Sequence, residues 1–224
     1  SRPTFAACKL LLEKITRKIV NKTNNTENTQ MMPQEINNSS QTAEATGEKT
    51  ITGETETLKE EYTTTDSDKS AILVENGGNA TINGTTVTKS GGDSSNTENS
   101  DLYGVNAGIL VTKNSTATIK NATISTNAKG SNAVFSTGED SKIYISDSTI
   151  TTTGSSSSRG LDATYGGYIE ADNVNITTQG GSCATLATDR GEGTGVFTAT
   201  NSDLSIQTSS KYYKTAPMFE VLFS

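Results

Sequence analysis

The sequence predicts an all-β fold, a right-handed parallel β-helix (β-solenoid) of about five to six coils behind a short N-terminal amphipathic helix, and three observations predict it. First, apolar pairs five residues apart recur at Ile82/Val87, Ile119/Ile124, Ile145/Ile150, Ala171/Ile176 and Ala199/Leu204, with 37, 26, 26 and 28 residues between successive pairs. A third apolar column precedes each pair by about ten residues, at Ile72, Ile109, Phe135, Leu161 and Leu186, and Phe219 reopens it. Repeats with a period of roughly 20–50 residues are units that bury a face only against their neighbours, which is the logic of a solenoid. Second, hydrophobic residues make up 31% of the 224 positions. That is below the roughly 45–50% of an ordinary globular domain and suits a thin core under a polar skin. Third, a residue type that tolerates left-handed backbone stands between the members of every pair, at Gly84, Asn121, Asp147, Asn173 and Asn201, where a tight corner is needed.

Three regions follow along the chain. Residues 1–20 contain the amphipathic helix: Leu11, Leu12, Ile15, Ile19 and Val20 share a stripe, with Lys9, Glu13, Lys14 and Lys18 elsewhere. Such a helix serves as a cap on the solenoid, a membrane-surface anchor, the remnant of an export signal or a frayed terminus. Residues 21–48 are Asn, Thr, Gln, Ser and Glu with almost no apolar content; they cannot repay the entropy of ordering and read as a linker. Residues 49–224 form the β-helix domain, with 49–65 as an irregular opening coil and regular coils from Ala71. Each regular coil has a first strand such as Ile72–Val74, a polar turn, a second strand alternating inward (Ala80/Ile82, Ala117/Ile119, Ile143/Ile145, Ile169/Ala171, Phe197/Ala199), the corner, and a third short strand. Stacked Asn side chains at the corners are expected to hydrogen-bond between coils. Insertions at 90–105 and 209–216 break the period and emerge at the surface; the first, rich in Ser and Asn, reads as a disordered loop.

Composition excludes several classes of function. A net charge of −7 and the absence of His argue against a nucleic-acid partner and remove the commonest general base and zinc ligand. No run reaches the roughly 18 apolar residues of a membrane span. Cys8 and Cys183 are expected to be separate thiols, Cys183 as a small buried filler. Phe5-Ala-Ala-Cys8 is similar to a lipoprotein cleavage box without its charged and apolar leader.

Chemistry-bearing residues are few. Asp189-Arg190-Gly-Glu192-Gly sets two carboxylates and a guanidinium on a flexible turn, and Asp162 lies about one coil below. Together they suggest a weakly acidic pocket for a sugar acid or a cation, against the plainer reading of a salt-linked turn. Calcium suits such oxygen ligands better than zinc, but the Gly-Gly-x-Gly-x-Asp repeat of calcium-bound β-rolls is missing, so no cofactor or metal site is expected. Tyr165 and Tyr168, flanking Gly166-Gly167, and Tyr212-Tyr213, between Lys211 and Lys214, offer rings for stacking on sugars, against the plainer reading, favoured for Tyr168, of tyrosines that cover the edge of the core. Outward pairs on the third strand (Thr86/Thr88, Thr123/Ser125, Thr149/Thr151) form a Thr array that decays to Asn175 and Asp203, which fits an exposed strand better than an ice-ordering surface. Triplets such as Asn83-Gly-Thr85 and Asn121-Ala-Thr123 mark glycan acceptors only in a host that glycosylates secreted chains.

Tyr103-Gly-Val-Asn-Ala107, Gly130-Ser-Asn-Ala-Val-Phe135, Gly166-Gly-Tyr-Ile-Glu-Ala171, Thr177-Thr-Gln-Gly180, Ala187-Thr-Asp-Arg-Gly-Glu-Gly193 and Ala216-Pro217 carry a resemblance. Over roughly half the chain, from about Leu102 to Pro217, the sequence resembles the adhesin-like right-handed parallel β-helix proteins on the surfaces of Gram-positive gut bacteria and some archaea. That resemblance implies export, surface display and contact with a glycan or host surface. Members of that group carry a third glycine where Glu192 stands and continue through further coils after the position of Pro217, so this chain is expected to be a truncated piece. The expectation is therefore a non-catalytic extracellular or cell-surface module that binds carbohydrate, as polysaccharide or cell-surface glycan, or a host or cell surface. A polysaccharide lyase or hydrolase acting on acidic glycans is the alternative, and an ice-binding protein or plain spacer the remaining readings.

Overall fold

The computed structural model describes residues 43–156, 158–181, 183–188, 196–206 and 219–220. They form a parallel β-solenoid of about six coils. Coil 1 holds β1 (Thr46–Thr52), β2 (Thr55–Leu58) and β3 (Tyr62–Thr64); coil 2 holds β4 (Lys69–Glu75), β5 (Asn79–Asn83) and β6 (Thr86–Lys89); coil 3 holds β7 (Ile109–Thr112), β8 (Thr116–Lys120) and β9 (Thr123–Thr126). Coils 4 and 5 run their second and third strands together, as β10 (Val134–Thr137) with β11 (Lys142–Thr152), and β12 (Leu161–Thr164) with β13 (Tyr168–Thr178). Coil 6 holds β14 (Leu186–Thr188), β15 (Val196–Thr200) and β16 (Asp203–Ile206), and β17 (Phe219–Glu220) pairs with β14.

Every pairing between successive coils is parallel, and the three strand positions make three ladders. The first runs β1-β4-β7-β10-β12-β14-β17. The second and third run β2-β5-β8 and β3-β6-β9 into β11, which pairs β13, and β13 in turn pairs β15 and β16. Side chains repeat at the inter-strand spacing of about 4.8 Å along each ladder. Ile82, Ile119, Ile145 and Ala171 stack in register, as do Val87, Ile124, Ile150 and Ile176, each at most 2% exposed. The corners between these columns have positive φ at Gly84 (67°), Asn121 (51°), Asp147 (51°), Asn173 (53°) and Asn201 (50°). Their side chains bond between coils: Asn121 Nδ2 donates to Asn83 Oδ1 (3.0 Å), Asn173 Nδ2 to Asp147 Oδ1 (2.8 Å) and Asn201 Nδ2 to Asp172 Oδ1 (2.9 Å).

The fold departs from the sequence expectation in three places. Coil 1 is regular, with all three strands in register on coil 2, and its first strand opens at Thr46. In the first ladder Val134, not Phe135, stands over Ile109 and under Leu161; Phe135 is in line with Leu110 and Asp162 on the opposite face of the sheet. The insertion is ordered: Thr97–Tyr103 form a short helix, α1. Asn96 caps it, its side chain accepting from the amides of Glu98 (2.9 Å) and Asn99 (3.2 Å), and Gly104 ends it in the left-handed conformation. A Cβ on Gly104 would sit 2.5 Å from the Phe135 ring, so this glycine serves both the turn and the close approach of α1 to the sheet.

Another column was hidden by its chemistry. Lys89, Thr126 and Thr152 stack in the third ladder with Thr178 and point into the corner that leads back to the first strand. Each Thr hydroxyl donates to a carbonyl a few residues on: Thr126 to Ser131 (2.8 Å), Thr152 to Ser158 (2.6 Å) and Thr178 to Cys183 (2.8 Å). In coil 2, where the insertion starts, the fully buried Lys89 ammonium donates to the carbonyls of Asp66, Gly91 (2.9 Å) and Gly92 (3.0 Å). Burial pushes its pKa down from the usual lysine value, opposed by Asp66, Asp68 and Asp93.

Candidate functional site

The outer face of the first ladder is roofed by α1. Leu73, Leu110 and Phe135 project outward from coils 2, 3 and 4 and form a second apolar cluster with Ala107, each at most 1% exposed. Polar contacts fix the roof. Asn132 Nδ2 donates to the Ser100 carbonyl (2.9 Å), and Thr137 and Thr164 direct their hydroxyls at the Leu102 carbonyl (3.4 and 2.7 Å). In coil 5 the apolar row gives way to Asp162, fully buried, whose Oδ2 lies 2.9 Å from Arg159 Nη1; the same nitrogen lies 3.4 Å from Asp101 Oδ1 of α1. Arg159 and Asp101 are themselves 8% and 5% exposed. A buried guanidinium between two carboxylates ties α1 to coil 5, and its removal would leave both carboxylates in a low-dielectric site without their counter-ion.

Asp162 therefore faces Arg159 and α1 from inside the molecule, where a ligand does not reach it while α1 is seated. Tyr165 follows β12 at a positive φ of 47° and stacks on Tyr103, the last residue of α1, with ring centroids 5.4 Å apart and planes 12° from parallel. Asp162 and Tyr165 thus join the α1 roof, in company with Asp101, Arg159 and Tyr103. Asp189, Arg190, Glu192, Tyr212 and Tyr213 lie outside the described residues, as do the segment 1–20 and Cys8. Cys183 is buried and a free thiol; burial raises its pKa, and it stands in line with Ser131 and Ser158 at the ends of the Thr hydrogen bonds. Among the described residues no group of three or more His, Cys, Asp or Glu is placed to hold a metal ion, and no helix is long and apolar enough to cross a membrane.

The outer face of the second ladder is open and differently furnished. Tyr144 on β11 is 40% exposed, the exposed large hydrophobic side chain of the described residues. Its ring centroid lies 6.0 Å from that of Tyr168 on β13, at 57°. Lys142 stands in line with Tyr168 and Tyr144 with Glu170, so two rings, an ammonium and a carboxylate alternate across adjacent coils. Tyr168 donates its hydroxyl to Glu170 Oε2 (3.0 Å), and this bond, more than burial, holds the phenol above its usual pKa. The ring is thereby fixed by a neighbour on its own strand. Thr118 and Thr81 continue the Tyr144 column into coils 3 and 2. Rings with exposed apolar faces among hydrogen-bonding groups have the chemistry that stacks on a pyranose and binds its hydroxyls. Tyr144 was legible as an outward residue between Ile143 and Ile145; its meeting with Tyr168 needed the register. Asp101 and Arg159, 58 residues apart, carried no local signal. No family model matches this sequence, and neither the curated proteins nor the solved structures compared with it include a match.

Proposed function

We propose that this chain is a non-catalytic, adhesin-like binding module, secreted or displayed at a cell surface, that holds polysaccharide against the open face of its second ladder. The observation that carries the reading is the Tyr144–Tyr168 pair, set on adjacent coils of a rigid sheet with Lys142 and Glu170 beside it. A rigid aromatic pair binds without first being ordered, which keeps the entropic cost of association low. Of the acidic cluster on which the enzyme alternative rests, Asp162 is the member among the described residues, and it is sealed beneath α1, so incubation with polyuronates is expected to release no unsaturated product.

Retention on insoluble cell-wall polysaccharides and a glycan array test the reading. The wild-type chain is expected to be retained, and Tyr144→Ala to weaken binding by roughly 10-fold, the equivalent of about 1.4 kcal/mol. Absence of retention on every polysaccharide, or retention that Tyr144→Ala and Tyr168→Ala leave unchanged, overturns it.

A further inference from the structure

The open face of the second ladder is sorted by charge. Lys120 stands outward on coil 3 and Lys142 on coil 4, while Glu170 and Asp172 stand outward on coil 5. The carboxylates are engaged by donors of the chain itself. Glu170 accepts the Tyr168 hydroxyl (3.0 Å), and Asp172 Oδ1 accepts from Thr200 Oγ1 (2.7 Å) and Asn201 Nδ2 (2.9 Å), bonds that hold its carboxyl below its usual pKa. The ammonium groups are placed differently. Lys142 meets Asp140 at 3.6 Å with 44% and 71% of the two side chains exposed, a water-screened contact that a ligand's anion can replace. Lys120 is exposed and makes no salt bridge among the described residues.

Register sets these two lysines on either side of Tyr144. Lys142 precedes Tyr144 by two residues on β11, and Lys120 on β8 is level with Ser146, two residues after it. Along the strand direction each lysine Cα is therefore about 7 Å from that of Tyr144, two residues at about 3.3 Å each, with Lys120 one coil spacing to the side. A ligand stacked on the ring has a cation within side-chain reach at both ends of a line along the strands, and carboxylates beside it on coil 5. We infer, building on the glycan-binding role proposed for this face, that its ligand is an acidic polysaccharide, bearing carboxylate or sulfate groups, laid along β8 and β11 between Lys142 and Lys120. Glu170 and Asp172 repel the same polyanion from coil 5, so charge sets its direction as well as its class.

Biolayer interferometry of the full chain on immobilised polymers tests this with two matched pairs: polygalacturonate against its methyl ester for carboxylate, and dextran sulfate against dextran for sulfate. The charged member of at least one pair is expected to bind roughly 10-fold more tightly than its neutral twin and to lose that advantage as salt is raised. Because the chain carries −7 overall, its general field repels a polyanion, and salt would strengthen any binding that did not come from a local cationic patch. Lys120→Gln/Lys142→Gln is expected to abolish the advantage and leave binding to the neutral polymer unchanged. Lys59→Gln/Lys129→Gln removes the same charge from exposed positions off this face and is expected to keep it. Circular dichroism reports that the variants fold. Equal binding, or no binding, of the two members of both pairs overturns the inference, as does an advantage that survives Lys120→Gln/Lys142→Gln or is lost equally in Lys59→Gln/Lys129→Gln. The glycan reading fails separately: Tyr144→Ala that weakens charged and neutral polymers alike supports it even where no charge preference is found.

Discussion

Lys89 shows how one side chain can replace a repeat motif. In coils 3 to 5 a Thr hydroxyl meets one carbonyl at the corner after the third strand; in coil 2 the chain leaves that corner into the insertion, and three carbonyls need a donor at once. An ammonium, with three protons and no acceptor, fits that demand. Lys89→Met keeps the stem and leaves the carbonyls without it, and is expected to destabilise the fold by about 2–4 kcal/mol, given about 1–3 kcal/mol for a stranded buried polar group. Urea denaturation measures this. Cys183 makes a quieter substitution: its Sγ lies 3.6 Å from the Gly154 carbonyl, as Ser158 Oγ lies 3.0 Å from that of Ala128. Cys183→Ser should change stability by less than about 1 kcal/mol. In the native chain Cys183 should resist alkylation at pH 8, because burial both hides the thiol and raises its pKa; peptide mapping after brief iodoacetamide treatment would show modification only on unfolding.

At the scale of the element, α1 is held by contacts that no stretch of sequence announces. Its seven residues offer little apolar surface, and its partners Asn132, Thr137, Arg159 and Thr164 arrive 32 to 62 residues later. A polar insertion read alone thus looks disordered, because the interactions that order it are non-local. Phe135 misled for a related reason. Ala133-Val134-Phe135 are all buried, since the sheet is covered by the core on one side and α1 on the other, so alternation gives no sign of which residue points inward. By contrast the paired columns and their corners were readable, because the second and third ladders keep an outer face in water and alternate cleanly. If α1 is a seated roof, Arg159→Met should cost about 3–5 kcal/mol by leaving Asp101 and Asp162 buried without their counter-ion. Amide exchange over 97–107 should then rise well above that of β8. Equal protection in variant and wild type would show that Arg159 does not hold the helix.

For the whole molecule, the two sides of the stack differ: one is covered over Leu110 and Phe135 by the end of α1, with Ala45 packed against the same cluster, and the other exposes Tyr144 beside Tyr168. The candidate site was only partly legible. Asp162 and Tyr165 were visible as residues with chemistry, but their roles follow from what the folding places over them, and Tyr144 gained significance only from its neighbour one coil away. All of this rests on the register of the ladders. Thr57 and Glu170 are exposed and share one outward column, four coil steps apart through Thr81, Thr118 and Tyr144. Spin labels at Thr57→Cys and Glu170→Cys, on a Cys8→Ser/Cys183→Ser background, report that separation by pulsed dipolar spectroscopy. Coil stacking predicts backbone positions about 19 Å apart, four spacings of about 4.8 Å; a distribution centred well beyond that, or one with no preferred distance, would contradict it.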